Sequence, residues 1–225
     1  MRKRTRVYSA VERRKTVDAG RDRVLAAARE LLEANDAEAF SVDAVARRAG
    51  VSRMTVYNQF ESKAGLLEAL FDSLAARGAM TRMSAVFQQR DARAALDDFV
   101  ALFGEFWTES RRAHARLRAA ATADPELDRA LTLRNERRRD GLSVLVRRLS
   151  NESKPIVPRD RLVTVLFVLL GFDTFDALAG DSGTPVDVVP VVRRLVRATL
   201  GLSASRTPMV RSERSRSSRR KRSKR

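Results

Sequence analysis

The segment that most constrains the chain is Ser41-Val42-Asp43-Ala44-Val45-Ala46-Arg47-Arg48-Ala49-Gly50-Val51-Ser52-Arg53-Met54-Thr55-Val56-Tyr57-Asn58-Gln59-Phe60-Glu61-Ser62-Lys63. Ser41 reads as an N-cap, because a serine hydroxyl accepts from a backbone N–H that the first helical turn leaves unpaired. Val42, Val45 and Ala46 then form a short apolar face, and Gly50 ends it. Ser52 caps a second short helix carrying Thr55, Val56 and Phe60, and a longer helix starts after Ser62. Two short helices joined through a glycine turn have the spacing of a helix-turn-helix. Ala46 is small enough to let the second helix approach, Gly50 supplies the positive φ of the turn, and Val51 fills the space between the two. The second helix can then lie in a major groove of duplex DNA with its N-terminal turn toward base edges.

Elsewhere the apolar residues keep a helical period. Val24, Leu25, Ala28, Leu31 and Leu32 share one face of a helix beginning near residue 18, with Asp36 where it should stop. Leu66, Leu67, Leu70, Phe71 and Leu74 share another face. Residues 92 to about 109 carry Leu96, Phe99, Phe103, Phe106 and Trp107, and residues 111–122 read as a separate short Ala/Arg-rich helix. Asp124-Pro125 fits a cap with proline at the first helical position, opening a helix to about residue 149. Residues 150–158 form a loop with Pro155 and Pro158; 159–179 and 186–201 read as two strongly apolar helices. With 10 Gly and 6 Pro in 225 residues, breakers are too sparse for a many-stranded sheet. The expected fold is all-α with about nine helices. It divides into a basic arm (1–17), a three-helix head (18–64), a helical body (65–202) and a disordered Arg/Ser-rich tail (203–225).

The net charge of +17 sits at the ends. Residues 1–15 carry +6 and residues 206–225 carry +9, which leaves +2 for the other 190. The first fifteen lack an apolar stripe and read as a mobile arm. Polycationic ends attract polyanions: DNA, RNA or an anionic membrane surface. There is no cysteine, hence no disulfide framework, thiolate metal site or cysteine nucleophile, which suits a reducing cytoplasm, the expected location. The basic Met1-Arg2-Lys3-Arg4 is followed by no apolar region of the kind a signal peptide needs. The longest apolar run, 162–172, spans 11 residues, against about 20 for a membrane span, and reads as a core helix. No membrane partner is expected.

The chain's only histidine, His114, cannot build a multi-histidine metal site, and it reads as a helix-surface or pocket-edge residue. Asp173 and Asp176 lie three apart on a helix with no nucleophile motif nearby, so they are expected to cap, to pair with arginine or to rim a pocket. No Gly-rich phosphate loop and no nucleophile elbow occurs in the sequence. No metal, no cofactor and no enzymatic activity are expected.

From Val24-Leu25-Ala26-Ala27-Ala28, through Ser41-Val42, Val45-Ala46, Ala49-Gly50-Val51-Ser52, Thr55-Val56-Tyr57 and Phe60, to Lys63 with Leu66-Leu67, the sequence resembles the TetR family of bacterial regulators. The resemblance covers roughly residues 21–70; Asp36 stands where many members have glycine, and the Arg/Ser tail is not a usual family feature. It implies that Arg53, at the start of the recognition helix, contacts a base, since arginine pairs bidentately with guanine O6 and N7. Asn58 is a second candidate for a base edge, at a position the family varies. Ser41, Thr55, Tyr57 and Lys63 fit phosphate contacts, which position a protein without reading sequence. Ser52 is a cap first, with a backbone N–H that can meet a phosphate.

The resemblance also implies a body that binds a small apolar effector between helices and forms a homodimer. Phe99, Phe103, Trp107, Phe172 and Phe175 are the candidate pocket residues, with plain core packing as the alternative reading. Leu162, Val165, Leu166, Leu169, Val188, Val192, Leu195 and Val196 suit an isologous four-helix interface. The expected function is a sequence-specific regulator of double-stranded DNA, a repressor released from a pseudo-palindromic operator by its effector. Two other classes fit the charge pattern: a constitutive, largely nonspecific DNA binder without an effector, and a helical adaptor with basic tails.

Overall fold

Helix α1 runs Arg2–Glu33, so it begins far upstream of residue 18 and takes in the arm expected to be mobile. The computed structural model describes residues 2–34, 40–76, 78–149 and 154–202, with side chains from Val17 onward. Asp36 and the 203–225 tail lie outside the described residues. The arm is helical for a simple reason. No Gly or Pro precedes Gly20, and Arg, Lys, Glu and Ala are good helix formers. A helix nucleated on a packed half extends by one hydrogen bond per residue. That packed half is the face of Val24, Ala28, Leu31 and Leu32, each 2% exposed or less.

Serine caps set the next three helices. Ser41 accepts from the Ala44 N–H at 3.1 Å and opens α2 (Val42–Ala49). Ser52 accepts from Thr55 at 3.1 Å and opens α3 (Arg53–Phe60), and Ser62 accepts from Gly65 at 2.9 Å and opens α4 (Lys63–Ala75). Gly50 ends α2 at φ 66°, ψ 34°, and the Val51 N–H returns to the Ala46 carbonyl at 3.0 Å, which is how a left-handed residue closes a helix. A Cβ at Gly50 would meet nothing within 4 Å, so the cost of Gly50→Ala is backbone conformation alone. The variant should lose about 1 kcal/mol, read as a lower urea midpoint, and Gly50→Asn, which tolerates this φ, should lose less. Equal losses for Ala and Asn would contradict that account.

The body holds α5 (Met83–Gln88), α6 (Ala92–Ala121), α7 (Pro125–Arg148), α8 (Arg159–Leu169), α9 (Phe172–Ala179) and α10 (Val189–Thr199), with 3-10 turns at Ala79–Arg82 and Pro185–Val188. Ten α-helices and no strands therefore stand among the described residues. Two segments divide differently from the sequence expectation. Residues 111–122 continue α6 unbroken, because Ser110 lies inside the helix and donates to the Phe106 carbonyl at 2.6 Å. Residues 159–179 form two helices bent by 51° at Leu170-Gly171, where Trp107 Nε1 donates to the freed Leu170 carbonyl at 3.1 Å. No single described helix is long and apolar enough to cross a membrane.

Two apolar cores result. The body core gathers residues such as Leu96, Phe99, Val100, Leu142, Leu145, Phe175 and Val192. The head core gathers Val24, Val45, Val56, Phe60, Leu66, Leu67, Leu70 and Phe71, and is completed by Ala113 and Leu117 of α6 with Leu127 and Ala130 of α7. The expected boundary at residue 64 therefore falls at the start of a helix whose apolar face packs into the head.

The residues expected at a dimer face differ in burial within the protomer. Leu162, Leu166, Val192 and Val196 are 2% exposed or less and belong to the protomer's own core. Val165, Leu169 and Val188 are half-buried. On α8, α9 and α10 the large apolar residues left exposed are Val168 (58% exposed), Val191 (45%), Leu178 (44%) and Leu195 (41%), the last of them among those expected at the interface. A helix that is apolar on several faces has two candidate inner faces, and sequence periodicity does not rank them.

Candidate nucleic-acid interface and internal cavity

Helix α3 presents Arg53, Met54 and Asn58 to solvent, with Val56 and Phe60 buried beneath. Its far end is tied to α1: Arg21 donates to the Gln59 carbonyl at 2.9 Å and its guanidinium lies 4.4 Å from the Phe60 ring centre. Arg53 is itself held. It donates to Asp43 at 3.0 and 3.3 Å and to the Tyr57 hydroxyl at 3.3 Å, and stacks 5.4 Å from the Tyr57 ring. The Tyr57 hydroxyl and then Asp43 raise its affinity for its proton above that of a free guanidinium. Ser52 and Thr55 share a 2.8 Å hydroxyl contact at the helix start. Ser41 is half-buried as the α2 cap.

Lys63 is placed differently. Its ammonium donates to Asp124, the cap of α7, at 2.5 Å, and the neighbouring Ala64 N–H donates to Glu126 at 3.0 Å. The Lys63 hydrogen bond, with the cap's backbone N–H groups, holds the Asp124 carboxyl below the usual range. Of the expected contacts, Ser52, Arg53, Thr55, Tyr57 and Asn58 share α3 and its cap, whereas Lys63 faces the body through an ion pair. Met54, 67% exposed between Arg53 and Thr55, was not singled out from sequence. Its position in the first turn of the second helix was the available signal.

Above the head lies a cavity of about 690 Å³, bounded by α4 to α9. Of the five candidate pocket residues, Phe99, Phe103, Trp107 and Phe172 line it. Phe175 does not. It is fully buried against Gly104, where a Cβ would sit 3.2 Å from its ring. Phe71 and Ala75 of α4 form part of the wall.

Two polar residues of this wall carry its electrostatics. His114 is 7% exposed, packed on Trp107 (4.6 Å between ring centres), Phe71 and Phe172, and its Nδ1 has no hydrogen-bond partner. Burial first, then the charges of Arg138, Arg134 and Arg118, push its pKa down to about 3, so it is neutral at pH 7. Arg138, 8% exposed, has its guanidinium 4.2 Å from the Phe167 ring centre, 5.5 Å from Trp107 and 5.8 Å from Phe103. Burial lowers its pKa to about 10, with Arg139 adding to the drop and Asp173 opposing it. Arg138 was missed from sequence because Arg137-Arg138-Arg139 reads as a solvated run. The signal lay in its register, four residues before Leu142 and seven before Leu145 on the buried face of α7. Asp173 and Asp176 both pair with arginine, Arg118 and Arg111 respectively.

The family model described as bacterial regulatory proteins, tetR family, matches residues 24–70. The chain carries a TetR-family head. Over 48 residues it is 50% identical to the HTH-type transcriptional regulator AlkX of Mycobacterium tuberculosis, a match covering 21% of this chain and 23% of that relative. The chain thus matches about a quarter of the curated relative's length. A transcriptional regulator from Rhodococcus sp. Rha1 superposes with a TM-score of 0.58 at 20% identity, over 80% of this chain and 95% of that one. A TetR-family regulator structure from Mesorhizobium loti gives 0.57 at 16%, over 82% and 96%. At these identities the likeness shows the fold, and it extends well beyond the TetR-family head into the body. Ser41, Ser52, Arg53, Thr55, Tyr57, Asn58 and Lys63 all fall inside the stretch matched by the TetR-family model.

Proposed function

We propose that the protein is a dimeric, sequence-specific transcriptional repressor that a small molecule releases from a pseudo-palindromic operator. One observation carries this reading. Helix α4 begins three residues after the recognition helix α3 and ends with Phe71 and Ala75 in the cavity wall. A ligand pressing on that wall displaces the helix that aims the reading head. In a dimer this changes the spacing of two heads that must fit two half-sites at once. The exposed Val168, Leu178, Val191 and Leu195 support a homodimer face on α8, α9 and α10. At the operator, Arg53 exchanges Asp43 for a guanine edge, Met54 offers an apolar contact to a thymine methyl, and Tyr57 with Thr55 and Ser41 meets phosphate. A phosphate contact by Lys63 requires its pair with Asp124 to open.

The polycationic ends favour a second reading, a nonspecific DNA binder. Selection from a random duplex library at moderate salt, with residues 206–225 deleted, separates the two. A recovered palindrome supports the regulator; no motif, with binding that vanishes as salt rises, supports the other. On the recovered site, Arg53→Ala should weaken binding by about 1–3 kcal/mol, roughly 5- to 150-fold, and leave nonspecific binding nearly unchanged. Equal losses on specific and random duplexes would remove Arg53 from the readout.

A further inference from the structure

We infer that the cavity takes an organic anion, whose acidic group is held by Arg138 while an aromatic or acyl body lies against Phe103, Trp107 and Phe167. This rests on the effector reading above and names the effector's chemical class, replacing the purely apolar ligand expected from sequence. Four arginines reach the cavity wall, and three of them are matched. Arg118 pairs with Asp173, Arg134 with Asp72 at 2.6 Å, and Arg137 with Glu68. Arg138 has no salt bridge or hydrogen bond to any described residue, and its Nε is buried without a partner. It is also the most enclosed of the four, at 8% exposure.

A guanidinium carries five N–H donors and stays charged at neutral pH, so leaving it buried without an acceptor is unfavourable. The rings of Phe167, Trp107 and Phe103 stabilise the charge from their faces. They do not satisfy the in-plane N–H donors, which a carboxylate or sulfonate accepts in pairs. Asp173, the acidic group whose charge reaches Arg138, is already bonded to Arg118. The neutral His114, with its unpartnered Nδ1 on the same Trp107 ring, provides a second polar atom beside an acid group. A hydrocarbon ligand leaves both unpaired, a neutral carbonyl or hydroxyl offers Arg138 only a weaker, uncharged acceptor, and a cation meets an excess of arginine. The aromatic wall excludes a small inorganic anion as the best fit, because it would leave the apolar volume empty.

The test compares two dyes that share one anilinonaphthalene body and differ by a sulfonate group, 8-anilinonaphthalene-1-sulfonate and neutral N-phenyl-1-naphthylamine, on the full chain by fluorescence titration. Salt at roughly 0.3 M screens attraction to the basic ends. The sulfonate dye should bind about tenfold more tightly or better, and decanoate but not decanol should displace it. Arg138→Gln should lose about tenfold for the sulfonate dye and little for the neutral one. If the neutral dye binds as tightly in the unmodified protein, the anion inference is overturned and the effector cavity stands; that comparison needs no variant to fold. An unchanged sulfonate affinity in a folded Arg138→Gln protein has the same meaning. Binding of neither dye overturns the anion inference and the effector reading together.

Discussion

Replacing His114 with phenylalanine is expected to flatten the acid side of the protein's stability profile. The folded chain holds His114 at about 3, against 6.5 for a free imidazole. Below about pH 6.5 the unfolded chain binds a proton that the folded one refuses, so the stability this residue contributes is complete above 6.5 and is lost as pH falls toward 3. The slope is about 1.4 kcal/mol per pH unit, or on the order of 2–3 kcal/mol between pH 6.5 and 4.5. Urea midpoints measured from pH 7.5 to 4.5 should fall steeply in the parent and more gently in His114→Phe. A phenyl ring suits the site, whose neighbours are the rings of Phe71, Phe106, Trp107 and Phe172 at 4.6 to 5.8 Å. Identical slopes in the two proteins would mean that His114 is solvated.

The largest loss from a single truncation should come at Trp107. The side chain is 4% exposed, lies against Phe103, Phe106, His114 and Phe172, and donates to the carbonyl at the α8–α9 bend. Trp107→Ala removes that packing, enlarges the cavity and orphans the Leu170 carbonyl, at a cost of about 3–5 kcal/mol. Trp107→Phe keeps an aromatic ring and gives up the hydrogen bond, and should cost about half as much or less. Because Trp107 is the chain's one tryptophan, the variants must be followed by far-UV circular dichroism rather than by fluorescence. A loss under about 1 kcal/mol for the alanine variant would show that the bend does not depend on this contact.

The features legible in the sequence are those written locally. Ser41, Ser52, Ser62 and Gly50 act within four residues of themselves, so the caps, the left-handed turn and the two short helices were readable. The aromatic wall was readable in part, because Phe99, Phe103 and Trp107 repeat at a helical period on α6. What required the folded chain was pairing over distance. Lys63 meets Asp124 sixty-one positions away, and no local pattern distinguishes that from an ammonium in solvent. Register with Leu142 and Leu145 sets Arg138 apart from Arg137 and Arg139, but its enclosure by the rings of Phe103, Trp107 and Phe167 required the packing of α6 and α8. The same holds for Leu162 and Val168: both are apolar and on one helix, and only the neighbouring elements make one core and the other surface.

The shared head core bears on how such a chain can be recombined. Residues 24–70 look like a cassette, yet their apolar face is sealed by Ala113, Leu117, Leu127 and Ala130 from the body. Grafting this head onto an unrelated body would expose Leu66, Leu67 and Leu70 or wedge them against the wrong shapes, unless residues of matching size were transplanted at those four positions. Exchange of heads between proteins of this architecture is therefore constrained by a seam inside the helical body, well downstream of α3.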